Sequence, residues 1–197
     1  MEATVAKDWD ALAAQWENDD VNIEFVESAH ALLEKTVSTE GKHILDMGCG
    51  TGLMTEFVAM NAKSVVALDS SELMIEELDK KGLRNVEPVV DLLTRGLVAQ
   101  HPAFRKQFDV IVASSVFGYL ENISEAMEVI YSLMDKDGVF VHWDWINDDE
   151  DRTEGVSTIQ MQDELIQAGF ASVKMSHAFR VRTPKGYKSA MMGVAIK

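Results

Sequence analysis

Three glycines and an aspartate mark the segment whose residue types are best suited to hold a ligand. The segment HILDMGCGTG, residues 43–52, carries Gly48, Gly50 and Gly52 at alternate positions, with Asp46 before the first of them. Glycine lets the backbone turn tightly and approach a ligand without a Cβ clash. A helix that follows such a turn points free N–H groups at the ligand, which favours a carboxylate or phosphate. The turn therefore predicts a ligand with an anionic part, and Asp46 predicts a cationic part.

A second acid follows the next apolar run. In VVALDSS, Asp69 stands where doubly wound proteins keep an acid for ribose hydroxyls, because a carboxylate accepts two hydrogen bonds from a cis-diol. A dinucleotide fingerprint reads G-x-G-x-x-G, whereas this chain reads G-x-G-x-G, which disfavours a nucleotide-dependent oxidoreductase. Asp46 and Asp69 together describe a ligand with a ribose, an amine and a carboxylate. S-adenosylmethionine has all three groups and a sulfonium.

Apolar runs and helix-period segments alternate from residue 42 to about residue 145, which indicates βαβ units and a parallel sheet. Pro88 removes a ladder donor from the third strand, so that strand is expected at a sheet edge. In a sheet ordered 3-2-1-4-5, the glycine segment then follows strand one at the switch point where such folds bind ligands. Strands are predicted at residues 43–47, 64–69, 86–90, 108–114 and 139–145, and helices at 52–61, 71–81 and 123–135.

The expected fold class is α/β, in one domain over residues 1–197. It is a doubly wound, Rossmann-like sheet of about seven strands, mostly parallel with an antiparallel last strand, and with helices on both faces. Residues 1–40 are expected to form an N-terminal helical lid and substrate region, 41–145 the cofactor-binding core, and 146–197 a late helix and C-terminal hairpin. In the first of these regions, helices are predicted at 5–18 and 23–37. In the last, the strands are predicted at 171–179 and 187–197.

Composition narrows the class of partner. The formal net charge of -15 opposes binding to nucleic acid, which draws on clustered Lys and Arg, so a small-molecule partner is expected. No apolar run approaches the ~20 residues of a membrane span. The first residues lack a basic region followed by an apolar one, so a cytoplasmic location is expected and no membrane partner. Cys49 is the single cysteine, which excludes an internal disulfide and favours a packing or backbone-contact role over nucleophilic catalysis.

The ordered motifs resemble those of the class I S-adenosylmethionine-dependent methyltransferases, in particular the branch that acts on small molecules. ILDMGCGTG is similar to the first motif of that family, VVALDSSELM to the second, VVDLL to the third and FDVIVASSVFGYLEN to the fourth. LMDKDGVFVHWD is similar to the loop and strand after it, and ELIQAGFASV to the late helix and sixth strand. The resemblance covers nearly the whole chain and implies strand order 7-6 beyond strand five.

The resemblance implies a role for each matching position. The backbone of Gly48, Cys49 and Gly50 would hold the methionine end of S-adenosylmethionine, with Asp46 orienting its amino group. Asp69 would bind the ribose hydroxyls. The remaining positions would surround the adenine and the methionine moiety: Ser70, Met74, Asp91 and Leu92 at the adenine, and Ser114 at the methionine.

Structural alternatives stay open for several of these side chains. Asp46 and Asp69 could cap the helices that follow them, since Asp is common at helix N-termini. Asp91 could be a solvated loop acid. Met74, on a helix face, could belong to the core.

Methyl transfer requires an acceptor atom held ~3 to 3.5 Å from the methyl carbon and in line with it. A hydroxyl or ammonium acceptor must also lose a proton, which asks for a general base. His142 and Asp144 alternate with Trp143 on the fifth strand, so the two share a face and either could be that base. A purely structural role for His142 stays open. Tyr119 stands in the fourth motif where relatives often carry histidines, and is the third predicted catalytic residue.

The acceptor pocket is expected beyond the carboxyl ends of strands four and five, beneath the N-terminal helices. All four tryptophans map there, and Trp9, Trp16 and Trp143 are predicted to contact the acceptor because aromatic faces attract cations. Simple core or lid packing is the alternative. No metal is expected, because the acidic run at residues 148–151 is more typical of a solvated surface than of a metal site.

The predicted function is transfer of a methyl group from S-adenosylmethionine to an oxygen or nitrogen of a small molecule. A non-catalytic sensor or partner subunit that binds S-adenosylmethionine has the same motifs and remains an alternative. A nucleotide-dependent oxidoreductase is the less favoured third possibility.

Overall fold

The computed structural model describes residues 7–147 and 155–197, and these form one seven-stranded sheet in the order β3-β2-β1-β4-β5-β7-β6. The strands are β1 His43–Met47, β2 Ser64–Asp69, β3 Val86–Val90, β4 Phe108–Ser114, β5 Met134–Trp145, β6 Ser172–Thr183 and β7 Gly186–Ile196. The helices are α1 Trp9–Ala13, α2 Asp20–Thr36, α3 Leu53–Ala59, α4 Glu72–Lys80, α5 Arg95–Gln100, α6 Ile123–Leu133 and α7 Thr158–Gln167.

The sheet is parallel except for β7. Neighbouring pairs among β3, β2, β1, β4 and β5 are parallel, and β7 runs antiparallel to both β5 and β6. The predicted fold class is confirmed, as are the edge position of β3 with its Pro88 and the order 7-6 beyond β5. The direction of the strand order reverses between β1 and β4, which places the switch point at the end of the glycine segment's own strand.

Hydrophobic side chains cover both faces of the sheet. On one face, α2 and α3 pack through Phe25 and Val58 against a cluster that includes Ile44 of β1. On the other face, α6 and α7 belong to a second cluster that includes Leu45 of β1. Because side chains alternate along a strand, Asp46 lies on the same face as Ile44. A carboxylate at the end of a buried strand is thus held between the sheet and the helices α2 and α3.

The N-terminal region differs from the prediction of one helix over residues 5–18. The helix α1 ends at Ala13, and a single turn of 3-10 helix follows at Trp16–Asn18. The helix α2 begins three residues earlier than predicted, because Asp19 accepts the N–H of Val21 at 2.9 Å and caps the helix there.

Two elements of the core were predicted incompletely. The helix α5 was not predicted, because its six residues bury only Leu97 and give no amphipathic period; Thr94 caps it by accepting the N–H of Leu97 at 3.1 Å. The strand β5 starts at Met134, directly after α6, rather than at Val139.

The acidic run at residues 148–151 lies outside the described residues, so its predicted solvent exposure stays a prediction. Within the described ranges, no helix has the length and apolar character needed to cross a membrane.

Candidate active site

An open cavity of about 1150 Å³, counting the space at its mouth, lies at the carboxyl ends of the strands. Asp46 reaches it from β1, Asp69 from β2, Ser114 from β4 and Trp145 from β5. The cavity therefore occupies the switch point, where ligands of open α/β sheets bind. All ten residues predicted to contact the cofactor line it: Asp46, Gly48, Cys49, Gly50, Asp69, Ser70, Met74, Asp91, Leu92 and Ser114.

Asp46 is fully buried and only half of its carboxylate is paired. The Thr55 hydroxyl, in α3, donates to Asp46 Oδ2 at 2.6 Å, while Oδ1 is buried with no hydrogen-bond partner among the described residues. Burial raises the pKa of the Asp46 carboxyl to about 7, an effect that the Thr55 hydrogen bond opposes and the nearby Asp69 charge increases. A buried carboxylate oxygen without a donor carries a large desolvation cost, which a bound cation or N–H donor would remove.

Asp69 connects the glycine turn to the start of α4. Its Oδ2 accepts the N–H of Gly50 at 2.8 Å, and its Oδ1 accepts the N–H of Ser71 at 2.9 Å. Burial raises the pKa of Asp69, and these backbone N–H groups oppose that rise. An ionised carboxylate has about four acceptor sites, so each oxygen retains capacity for a further donor such as a hydroxyl.

The glycine turn follows the backbone path that its sequence predicts. Gly48 has φ +66°, and a Cβ placed there would lie 2.5 Å from the Val116 side chain, so the turn packs directly on the loop after β4. Gly50 has φ +55°, and a Cβ there would meet only Trp16 Nε1 at 3.8 Å and Met74 Sδ at 3.9 Å, both of them cavity residues. Gly48 allows close packing within the protein, whereas Gly50 exposes its backbone to the cavity.

The other cofactor-side positions differ in burial. The Ser114 hydroxyl oxygen is buried without a hydrogen-bond partner in the described residues, and Met74 is buried beneath the turn. Asp91 is exposed and accepts the N–H of Leu92 at 2.7 Å, while the Leu92 side chain is 60% exposed. An exposed leucine at a cavity rim leaves apolar surface that a flat ring could cover.

Five aromatic residues from five separate segments line the same cavity, and we call them the aromatic cluster: Trp9, Trp16, Phe25, Tyr119 and Trp145. The Trp9 ring meets the Trp16 ring edge-on at 5.8 Å between centroids and the Tyr119 ring edge-on at 4.8 Å. Phe25 and Trp145 lie 4.6 Å apart between centroids. The cluster brings together the N-terminal helices, the loop after β4 and the end of β5.

The structure corrects the predicted placement of His142 and Asp144, neither of which lines the cavity. The two side chains do share a face of β5, and His142 Nδ1 lies 2.8 Å from Asp144 Oδ2, but both are buried to within 1% exposure. Asp144 Oδ1 accepts the N–H groups of Val116 and Phe117 at 3.1 and 2.9 Å. This pair therefore anchors the loop after β4 from beneath and does not contact an acceptor in the cavity.

The prediction that Trp143 contacts the acceptor is also wrong. Its side chain is fully buried in the core, on the face of the sheet that α2 and α3 cover. Trp145 lies on the same face two residues later and lines the cavity instead. Strand alternation gives the face of a side chain but not its depth. Depth depends on how far the covering helices extend beyond the strand end, which the local sequence does not specify.

Cys49 lines the cavity but is not suited to nucleophilic chemistry. Burial, together with the charges of Asp46 and Asp69, raises the pKa of its thiol well above the ordinary value. The reactive form of cysteine is the thiolate, which this surrounding suppresses. Within the described residues, no group of three or more His, Cys, Asp or Glu side chains has an arrangement that could hold a metal ion.

Comparison with known proteins agrees with this geometry. Residues 45–140 match a family model described as a methyltransferase domain. The predicted resemblance is confirmed. The matched region spans β1 to β5 up to Phe140, and so includes the glycine turn, both acids and the loop after β4.

A ubiquinone biosynthesis O-methyltransferase of Pseudomonas entomophila strain L48 is similar to the chain. The two are 27% identical over 151 residues, covering 74% of this chain and 63% of that protein. The chain thus spans less than two thirds of the length of that relative.

Two solved structures share the fold over nearly the whole chain. One belongs to the complex between the Haloferax volcanii Trm112 methyltransferase activator and a methyltransferase, with TM-score 0.77, 14% identity and coverage of 98% and 99% of the two chains. The other is the DhpI-SAM-HEP complex, with TM-score 0.69, 21% identity and coverage of 93% of each chain.

Proposed function

We propose that the protein transfers a methyl group from S-adenosylmethionine to an oxygen or nitrogen of a small-molecule acceptor. The observation that carries the proposal is the pairing, in one cavity, of a fully buried carboxylate and a half-buried one with a cluster of aromatic rings. Among the described residues that line the cavity, none is a Lys or Arg. Such a lining suits a ligand with net positive charge, as the sulfonium and amino groups of S-adenosylmethionine provide.

The residues at the strand ends fit this donor. Asp46 Oδ1, buried and without a partner in the described residues, would accept from the amino group. Asp69 would accept from the ribose hydroxyls with the capacity that its two backbone N–H bonds leave free. Met74, Leu92 and the Gly50 backbone would surround the remaining parts. When bound, S-adenosylmethionine supplies an electrophilic methyl carbon, and the rest of the chemistry depends on how the chain holds the acceptor.

The aromatic cluster would hold the acceptor and exclude water. Edge and face contacts with Trp9, Trp16 and Trp145 orient a flat or cationic group, and a dry site strengthens every polar interaction in it. The ammonium of Lys7 lies 4.8 Å from the Trp9 ring centroid and 5.0 Å from that of Tyr119, so these two rings already accommodate one cation. That ammonium places positive charge beside these two rings, which disfavours a second cation at the same ring faces.

Tyr119 is the proposed polar contact of the acceptor. With His142 and Asp144 buried away from the cavity, its hydroxyl is the phenolic group that lines it, and Ser115 and Asn22 supply further polar atoms. A hydroxyl on the cavity wall can orient an acceptor hydroxyl or amine by hydrogen bonding, or relay its proton.

Two measurements examine the proposal in sequence. S-adenosylmethionine or S-adenosylhomocysteine at 100 times its dissociation constant should stabilise the fold by about 2.7 kcal/mol, and NAD should not. Transfer of a labelled methyl group into a metabolite extract should then yield a labelled small molecule. A thermal shift with NAD alone would contradict the proposal. Donor binding without any labelled product, over a broad range of extracts, would favour the non-catalytic alternative.

A further inference from the structure

Two acids tie the N-terminal segment, residues 8–18, to the turns that carry the cofactor-side residues. Asp10 is the first. Its Oδ1 accepts the Ser71 hydroxyl at 2.5 Å and the N–H of Leu73 at 3.2 Å. Ser71 is the N-cap of α4 and comes two residues after Asp69. The contact therefore joins the segment that bears Trp9 to the turn at the end of β2.

Glu17 makes the second connection. Its Oε1 accepts the Thr51 hydroxyl at 2.7 Å and lies 2.6 Å from Lys81 Nζ, which also contacts Glu56 Oε2 at 2.5 Å. Thr51 is buried within the glycine turn itself. The residue next to Trp16 is thus joined to the turn at the end of β1.

The two connections meet through Asp69. Its carboxylate accepts one N–H from Ser71 and another from Gly50, the residue before Thr51. A continuous chain of hydrogen bonds and short backbone stretches therefore connects Asp10 with Glu17. It passes in order through Ser71, Asp69, Gly50 and Thr51. A ligand that fixes Asp69 and the Gly50 backbone would at the same time fix the hydroxyls that hold the segment.

We infer that Asp10 and Glu17 are positioning residues that couple donor binding to closure of residues 8–18 over the acceptor part of the cavity. The inference rests on the proposed function, since the donor is the ligand of Asp69 and the glycine turn. Both acids are exposed whereas Ser71 and Thr51 are buried, and Ala13 is the one buried residue of segment 8–18, so opening of the segment would uncover little of the core. Coupling of this kind is reciprocal, so an acceptor held by Trp9 and Trp16 tightens donor binding by the same factor.

Amide hydrogen exchange of the whole chain, measured with and without S-adenosylhomocysteine, tests this coupling. The experiment does not require that the acceptor be identified. In the native protein, S-adenosylhomocysteine should slow exchange of the amides in residues 8–18. In the variants Asp10→Ala and Glu17→Ala, the factor by which S-adenosylhomocysteine slows exchange should be about three- to tenfold smaller. This is the range expected for the loss of one or two net hydrogen bonds. Exchange in β4 should be unchanged. Asp10→Asn should restore most of the effect, because its amide oxygen still accepts from Ser71 and Leu73.

Matched controls remove the same charge nearby. Asp20→Ala and Glu24→Ala, both exposed on α2, should leave the slowing intact. The inference is overturned if S-adenosylhomocysteine binds but exchange of residues 8–18 does not respond. It is also overturned if the control variants lose the slowing to the same extent, since the effect would then be one of charge. If S-adenosylhomocysteine does not bind the native protein at all, the proposed function fails before the coupling is reached, and the two failures are told apart by the binding measurement.

Discussion

The acidic pair Asp46 and Asp69 and the aromatic cluster line one cavity but are built in different ways. Each acid ends a buried strand, and its oxygens contact residues nearby in the sequence or on the adjoining turn. The aromatic cluster comes from α1, the turn after it, α2, the loop after β4 and the end of β5. Its rings contact one another across more than 100 residues of chain.

The difference shows why the proposed donor site is recognisable in the sequence and the acceptor site is not. A strand, a tight turn and a helix can be inferred from neighbouring residues, because their geometry is set by local backbone preferences. The positions of five rings from distant segments depend on packing of the whole molecule. The following predictions either separate the two regions further or show that they are one unit, beginning with the largest expected effect.

Asp144→Ala should lower stability strongly, because it leaves the N–H groups of Val116 and Phe117 buried without an acceptor and removes the partner of His142. We expect a loss of about 3 kcal/mol in the free energy of unfolding, from two or three unpaired groups at about 1 kcal/mol or more each. Denaturant unfolding measures it. Asp144→Asn should lose less, since its amide oxygen can still accept from the loop. Equal stability of the alanine variant and the native protein would show that the loop after β4 is held by other contacts.

Asp69→Ala should weaken binding of S-adenosylhomocysteine about 100-fold, because a carboxylate that accepts from hydroxyls contributes about 1.5 to 3 kcal/mol. Isothermal titration calorimetry gives the affinity. Asp79→Ala, an acid of α4 that does not line the cavity, is the control and should bind normally. An unchanged affinity in Asp69→Ala would remove the ribose assignment and with it the distinction between the two regions.

Donor affinity should fall as the pH falls below 7. The pKa of Asp46 is raised to about 7, and only the ionised carboxylate attracts an ammonium. We expect the affinity for S-adenosylhomocysteine to drop about tenfold between about pH 7.5 and about pH 6, because binding must then displace a proton. Asp46→Asn should bind weakly and without this slope. A native protein with no slope would mean that Asp46 does not contact the amino group.

The raised pKa of Asp46 has the opposite effect on the stability of the ligand-free protein, which should decrease as the pH rises. Burial raises the pKa of Asp46 from 3.8 to about 7, so the folded chain holds this proton more tightly than the unfolded chain does. The Asp46 contribution to stability is therefore most favourable below about pH 4 and is lost as the pH rises to about 7. A donor that binds the ionised carboxylate should offset this loss.

The substitution Tyr119→Phe should have the smallest effect. That effect should be limited to the acceptor side of the cavity. The ring and its contact with Trp9 remain, so affinity for S-adenosylhomocysteine should change less than about twofold, while the rate of methyl transfer falls about fivefold, as expected for one lost hydrogen bond. Tyr187→Phe, exposed at the start of β7, is the matched control. A large loss of donor affinity in Tyr119→Phe would show that the two regions act as one.

The sequence predicted β1 to β4 closely, and it predicted the N-terminal helix, α5 and the start of β5 wrongly or incompletely. β1 to β4 have the predicted bounds, and Pro88 correctly indicates the edge strand. The helix α5 was not recognised, because six residues do not establish a helical period, and the N-terminal helix is broken after Ala13. All ten predicted cofactor positions line the cavity, since each lies near the carboxyl end of a strand, or soon after it, and the alternation of apolar and helical segments identifies those strands.

For the acceptor side, the sequence predicted that tryptophans lie near the strand ends, but it did not predict which side chains reach the cavity. The tryptophans were expected near the strand ends, yet Trp145 and not Trp143 reaches the cavity, and His142 and Asp144 lie beneath the loop after β4. Phe25 carries no motif and was not singled out. The contacts of Asp10 and Glu17 join residues 61 and 34 positions apart, and no local pattern indicates them.

The amino-acid sequence by itself determined the glycine turn, the two acids that flank it and the order of the strands that bring them together. These follow from backbone sterics, from hydrophobic periodicity and from the chain direction that parallel strands share. The tertiary structure alone decided which side chains reach the cavity and which lie beneath it. Depth in a packed interior depends on the volumes of all the neighbours at once, so a strand position equally suited to catalysis became, in His142 and Asp144, a buried support for the loop above it.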